Sequence, residues 1–383
     1  MNSPSATPAP DYTIYNCHLH LFSVEHIPRN FLNKWIPTDV VKRLPEKQRL
    51  MRLLQKVGGS KFDRYAAFIY SALKEPEDIF DELCAYYPQG TKFVPLSIDF
   101  DYMGAGQPIK PFLEQLKDLS ALRDKFPTQI LPFVGVDPRR PDVVQLVRHY
   151  IENEKYAGIK LYPSLGFFPD DERLKEVYAY AEAHGIPVTT HCIPKNQNYY
   201  RGKMSHADRE KARIVQGQAG EQGAGNKDFA QYYNHPYWWS RVLEQFPRLK
   251  LNLAHFGGKD EWNKYLDEPP LKKESESGGY PFRQNWFYQI RKLIENEAWP
   301  NVYADISFTV FDARLYPLLK TMIAFEKTRD YILFGSDFYM LQKDYRERRF
   351  GIEMRGYLSD DFYWQIAYHN PRRFLHNAVH GVI

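Results

Sequence analysis

Eight short apolar runs, each separated from the next by a longer and more polar stretch, constrain this chain more than any other feature. They cover residues 12–22, 92–100, 129–136, 156–162, 186–192, 249–255, 301–307 and 331–337. The first is rich in β-branched and aromatic residues, as strands are. Between them apolar residues recur at helical spacing, as in Phe112, Leu113, Leu116, Leu119, Leu122 and Phe126. Further helices are predicted over 141–153, 171–184, 238–246, 287–297, 315–326 and from 360 onward. Short apolar strands alternating with helices form a parallel sheet covered on both faces. Eight such units predict an α/β fold, a (β/α)8 TIM barrel. A doubly wound open sheet is the alternative. No GxGxxG or GxxxxGK[ST] follows the first run, so its nucleotide-binding form has no support.

Three stretches break the rhythm: about 23–89, 195–234 and 257–281. The first reads as a helical insertion: 40–57 is charged and leucine-bearing, and apolar residues fall at helical spacing over 64–73 and 77–87. The other two are polar, glycine-bearing and read as irregular. All three come after the C-terminal ends of strands 1, 5 and 6, the face on which barrels carry their sites. They predict a deep, covered pocket. Residues 1–11 are small, polar and proline-rich, and read as a disordered tail ahead of a single domain, 12–383.

Composition excludes several function classes. The net charge of +4 on 383 residues carries no basic tail, which argues against nucleic acid as a partner. No apolar run approaches a membrane span. Cys17, Cys84 and Cys192 are odd in number and widely spaced, so neither a disulfide framework nor a CxxC site is expected. A reducing, cytoplasmic setting is the expectation. The chemistry then calls for a small-molecule substrate, with a homo-oligomer left open.

The candidate chemistry stands at strand ends. His18 and His20 flank Leu19 on the first run, and alternation along a strand points both the same way. Two imidazoles side by side make half of a site for zinc or another first-row divalent ion. Lys160 lies on the fourth run, His191 ends the fifth, His255 the sixth and Asp337 the eighth. Singly, each has a structural explanation, such as a capping aspartate or a paired lysine. Jointly, their coincidence with strand ends favours a metal site.

In these pieces the chain resembles the amidohydrolase superfamily, in its amidohydrolase-related branch. That branch also includes decarboxylases of the aminocarboxymuconate-semialdehyde type. The matching motifs are HLH, IKLYP, TTH, LAHFGG, FGSD and the closing 370–375, spread from Tyr12 to about Leu375. The resemblance implies that His18, His20, His191 and Asp337 bind a divalent metal, zinc first and manganese as the other choice. Asp337 would also take a proton from the metal-bound water. His255 would hydrogen-bond that water or the developing oxyanion. Lys160 sits where binuclear members carry a carboxylated, bridging lysine, in which case His255 becomes a ligand of a second ion. One ion or two stays open.

Around the metal the reading is coarser. Tyr162 and Arg201 are candidate substrate contacts, with Lys195, Tyr199 and Tyr200 nearby. Asp99, Asp101, Asp137, Arg139 and Arg140 read as a solvated loop or as salt bridges supporting the rim, ahead of the other choice, that an arginine or lysine here holds a substrate carboxylate. Asp305 reads as a partner of a ligand histidine or a structural group. The leading function is a metal-dependent hydrolase acting on an amide, lactone or ester-like bond of a small carbonyl compound. A metal-dependent decarboxylase of an aromatic or unsaturated acid is the runner-up, and a non-catalytic binding protein on the same barrel is the minor alternative.

Overall fold

The computed structural model describes residues 12–31, 73–194, 198–216, 225–267, 285–338 and 347–381. The expected tail, the charged stretch 40–57, nearly all of 64–73, residue Lys195 and residues 268–281 lie outside the described residues.

Eight parallel strands close into a TIM barrel. They are β1 (Tyr15–Leu19), β2 (Lys92–Pro95), β3 (Phe133–Val136), β4 (Gly158–Leu161), β5 (Val188–His191), β6 (Leu251–Ala254), β7 (Val302–Asp305) and β8 (Ile332–Leu333). β3 through β8 pair in sequence order, and β1 pairs with β2. Phe93 bridges to Ile130 and Leu96 to Phe133, which joins β2 to β3. The last seam, β8 to β1, closes through Cys17 N to Phe334 O at 2.9 Å and Asp337 N to His18 O at 2.8 Å. A parallel pair needs a crossover of a dozen or more residues, and the helices between strands supply it.

These ladders are shorter than the sequence runs. In β2 Pro95 has no N–H to donate, and only the isolated bridge at Leu96 extends the ladder. β8 keeps two residues because the chain after Leu333 bonds to the C-terminal helices. Phe334 N donates to Ile366 O at 2.9 Å, within the π-helix Gln365–His369. The Asn370 carboxamide donates to Ile332 O at 2.8 Å. The closing motif 370–375 thus ties the C-terminal helices to the last stave.

The crossover helices bury one face each. In Trp286–Ile294 the buried set includes Phe287, Ile290, Leu293 and Ile294, the 3–4 spacing of an amphipathic helix. Asn285 caps it, accepting from Tyr288 N at 3.0 Å. Burying each such aliphatic side chain stabilises the fold by roughly 1.5–3 kcal/mol.

The two stretches read as irregular contain helices: His206–Gln216, Asn226–Tyr233 and Lys259–Asp267. Their charge content masked the pattern, because only a narrow stripe is apolar. Phe229 and Tyr233 join Ala212, Val215, Phe168 and Trp238 in a separate apolar cluster. Tyr233 and Trp238, with Tyr232 and Tyr237 against them, therefore build packing. Among the described residues no helix is long and apolar enough to cross a membrane.

Candidate metal centre

β1 carries His18 and leads into His20, and both are buried. His18 Nδ1 lies 3.0 Å from Asp305 Oδ2, and His20 Nδ1 lies 2.7 Å from Leu96 O. Both partners are acceptors, so each ring is protonated on Nδ1 and keeps its lone pair on Nε2. Metal-binding histidines are oriented in this way, with the second nitrogen donating to a carboxylate or carbonyl. Burial, reinforced by the charges of His18 and Lys160, pushes the His20 pKa well below the ordinary range. The ring is therefore neutral at pH 7, as a metal ligand must be.

Asp337 comes to the same place from the far seam. Its Oδ1 lies 3.7 Å from His20 Nε2. Ligand atoms of His18, His20 and Asp337 lie within 4.8 Å of one another, all buried. His18 Nε2 and Asp337 Oδ1 are buried without a hydrogen bond among the described residues. Orphaned groups of this kind are costly unless a ligand completes them. Two imidazoles, a carboxylate and open valences fit a divalent first-row ion. Burial raises the Asp337 pKa, against the lowering effect of His18 and Lys160.

A second triplet, His18, His255 and Asp305, is equally tight but already bonded within itself. Asp305 is fully buried and accepts five hydrogen bonds. Oδ2 takes His18 Nδ1 and Asn252 Nδ2 (2.7 Å). Oδ1 takes His255 N (3.1 Å), Ser307 N (3.1 Å) and the Ser307 hydroxyl. Burial opposes its charge, yet His18 and these donors hold its pKa well below the carboxylate range. It is the support of the site, and its lone pairs are engaged. Asn252 and Ser307 escaped the sequence reading. Their only signal was position, on strand 6 and two residues after Asp305.

His191 and His255 form a pair. His255 Nδ1 lies 3.0 Å from Ser307 O and donates to it, so its Nε2 is an acceptor. His191 Nδ1, 3.0 Å away, donates to that Nε2. His191 therefore also has its lone pair on Nε2, yet it stands outside the three-residue cluster, its ring stacked on Tyr162 at 4.2 Å. Burial, then His18, brings the His255 pKa down to about 3, so the ring stays neutral. Both His255 nitrogens are hydrogen-bonded, Nδ1 to Ser307 O and Nε2 to His191 Nδ1.

Backbone geometry reflects the same demand. His255 and Asp337 have φ of 68° and 56°, in the left-handed region that costs a non-glycine residue about 1–3 kcal/mol. Strain of this kind gathers at sites where a side chain must be aimed. Gly335 answers another constraint: a Cβ there would stand 2.9 Å from His18 Cβ.

The seam is pinned by Asn16, two residues before His18 and on the same strand face. Its Oδ1 accepts from Ser336 N at 3.1 Å, and its Nδ2 donates to Ser336 Oγ at 2.8 Å and to the Tyr87 hydroxyl at 3.1 Å. Tyr87 in turn donates to Glu347, a buried carboxyl. None of this was visible as a motif.

Arg201, expected at the substrate, has its guanidinium on the Asn30 and Phe31 carbonyls, holding the loop after β1. Arg140 bonds Asp99 (2.6 and 2.9 Å) and Asp101 (2.7 Å), and Arg139 bonds Asp137, so these form the rim salt bridges. Lys160 is buried in β4.

The family described as Amidohydrolase matches residues 113–376 of this chain. No curated protein matches it. Several solved structures share its fold. The 2,6-dihydroxybenzoate decarboxylase from Rhizobium aligns with a TM-score of 0.54 at 14% identity, over 95% of this chain and 98% of its own. A 5-carboxyvanillate decarboxylase from Novosphingobium aromaticivorans, complexed with manganese and 4-hydroxy-3-methoxy-5-nitrobenzoic acid, gives 0.52 at 14%, over 95% and 96%. The 4-oxalomesaconate hydratase from Rhodopseudomonas palustris gives 0.50 at 14%, over 95% and 95%. At these identities the likeness is one of fold.

Proposed function

The chain belongs to the amidohydrolase family and is an enzyme of that superfamily, and from this premise we propose that it is a metal-dependent hydrolase. Its bond is the amide, lactone or ester-like bond of a small carbonyl compound. One observation carries the reading: His18 and His20 aim Nε2 lone pairs at the place where Asp337 Oδ1 is buried without a hydrogen bond. His18, His20 and Asp337 would hold the ion, which we take to be zinc, with His191 and its Nε2 lone pair as the further donor. A bound divalent ion supplies hydroxide at neutral pH and polarises a carbonyl.

The remaining work falls to the chain. The Asp337 carboxylate is buried beside His20 Nε2, next to where the ion would sit. It takes the proton of the attacking water and returns it to the leaving group. Asp305 holds the His18 ring and, through the His255 N–H and Ser307, the loop after β6. The His255–His191 bond sets the tautomer of His191. Tyr162 covers one face of the His191 ring and excludes water from it.

A decarboxylase is the second reading. The buried ammonium of Lys160 favours it, because such a group receives a carboxylate in the same chamber.

Elemental analysis and a substrate panel test both readings. Tightly bound divalent metal is expected, with proton release from amides, lactones or esters. CO2 release from aromatic acids without hydrolysis would replace the first reading by the second. A chain that holds no divalent metal and gains no activity on reconstitution would defeat both.

A further inference from the structure

A small cleft opens between β2, β3 and β4, walled by Asp99, Asp137, Lys160, Tyr162, Leu165 and Phe167, with a closed volume of about 10 Å³ and its mouth toward solvent. Its charges are unevenly matched. Arg139 meets Asp137 in a two-pronged bond, and Arg140 is shared between Asp99 and Asp101, so these five groups are all held in ion pairs. Lys160 is different. Only 1% of it is exposed, and its Nζ has no hydrogen bond or ion-pair partner among the described residues. Asp305 and Asp337 act on it only across a distance. Burial brings its pKa down to about 8, so at pH 7 it is still mainly an ammonium. Its Nζ stands over the Tyr162 ring face, 5.9 Å from the centroid. A buried ammonium that has a ring face but no acceptor is expensive, and a site that retains one is built for an incoming anion.

A bridging role between two ions would use Lys160 otherwise, with the second ion on His255. In this structure both His255 nitrogens are hydrogen-bonded, to Ser307 O and to His191. The unbonded Lys160 Nζ on the cleft wall instead offers its donors to a ligand. A single ammonium suits a carboxylate, whereas a phosphate dianion would need a second cation, and the arginines nearby are engaged. Tyr162 and Phe167 add flat apolar walls for a planar carbon skeleton.

We infer that Lys160 anchors a substrate carboxylate, so that the enzyme takes a small carboxylated carbonyl compound. That the anchored molecule is a substrate rests on the proposed function; the carboxylate subsite itself does not. The anchor fixes one end of the molecule while the bond to be broken lies toward Asp337, which converts binding energy into orientation.

Titration calorimetry on the full-length, metal-loaded chain tests this, with benzoate and its uncharged analogue benzamide as probes. Benzoate is expected to bind at least tenfold tighter than benzamide. Lys160→Met should remove that advantage, and Lys160→Arg should keep part of it. Metal content, measured on the same samples, should be unchanged in Lys160→Met. Benzoate binding no tighter than benzamide, or an advantage that survives in Lys160→Met, overturns the anchor. A loss of half the metal in Lys160→Met overturns it too, by placing the lysine at the ion. Far-UV circular dichroism shows whether Lys160→Met folds; if it does not, the wild-type comparison and Lys160→Arg decide. A chain that binds benzoate through Lys160 but cleaves no amide, lactone or ester refutes the hydrolase and leaves the subsite standing.

Discussion

His18 Nδ1 and Asp305 Oδ2 stand 3.0 Å apart, both fully buried and 287 residues apart in sequence. The bond does two things. It gives Asp305 a strong donor in a place without water, and it fixes which nitrogen of His18 faces the ion. Asp305→Asn offers one acceptor where the carboxylate offers two, and puts an N–H against a donor. Metal affinity should fall about 10–100-fold, as it does when such supporting carboxylates are removed elsewhere. Competition with a chromogenic zinc chelator measures it; unaltered affinity would remove Asp305 from its supporting role.

Asp337→Asn separates binding from proton transfer. The amide fits the same space and keeps one oxygen for the ion. Turnover should fall about 10²–10⁴-fold, the usual size of a lost general base. Metal retained with kcat reduced is the expected pattern, read by steady-state kinetics beside elemental analysis. A variant with normal kcat would end the assignment of Asp337 as the base.

Gly335→Ala tests the closing seam. The new methyl would meet His18 Cβ at 2.9 Å, and His18 N at 3.2 Å, so β1 and β8 must part. Overpacking of a buried site costs roughly 1–3 kcal/mol. A lower melting temperature together with weaker metal binding is expected, because the displaced residue is a ligand. Loss of stability with metal affinity intact would show that the seam does not set the ligand geometry.

Glu347 gives the molecule a pH dependence. Burial lifts its pKa to about 7, against the Tyr87 and Ser336 hydroxyls that favour the charged form, with Asp337 adding to the rise. The folded state therefore holds a proton that the unfolded chain, ordinary at 4.5, releases earlier. Stability from this group is full below about pH 4.5 and is lost as pH rises toward 7, by about 3 kcal/mol in all. Glu347→Gln keeps the shape and removes the titration. Thermal unfolding between pH 5 and 8 should show a flatter slope in the variant, and equal slopes would rule out Glu347 as its source.

Much of the site could be read from local pattern. Alternation along 12–22 placed His18 and His20 on one face, and the structure keeps them there with Asp337. The strand runs placed Lys160, His191, His255 and Asp337 at the mouth of a barrel. Other parts resisted. Arg201 looked like a substrate contact, but its target, the Asn30 and Phe31 carbonyls, lies 170 residues or more earlier in the chain. The helix His206–Gln216 was hidden because charged residues such as Arg209, Glu210 and Arg213 break its apolar spacing, and only a stripe with Ala212 and Val215 is buried.

By itself the sequence determined the periodicities: eight apolar runs, the helices between them, and two imidazoles one residue apart. These arise from covalent geometry, since side chains alternate along any strand and recur every three to four residues along any helix. Only the tertiary structure decided the tautomers, the engagement of His255 with His191, the five donors on Asp305 and the solitary ammonium of Lys160. Those depend on barrel closure, which sets Asn16 beside Ser336 across 320 residues. Hydrogen bonds and charges act over a few ångströms, and no local pattern records which distant groups the closed barrel will bring within that range.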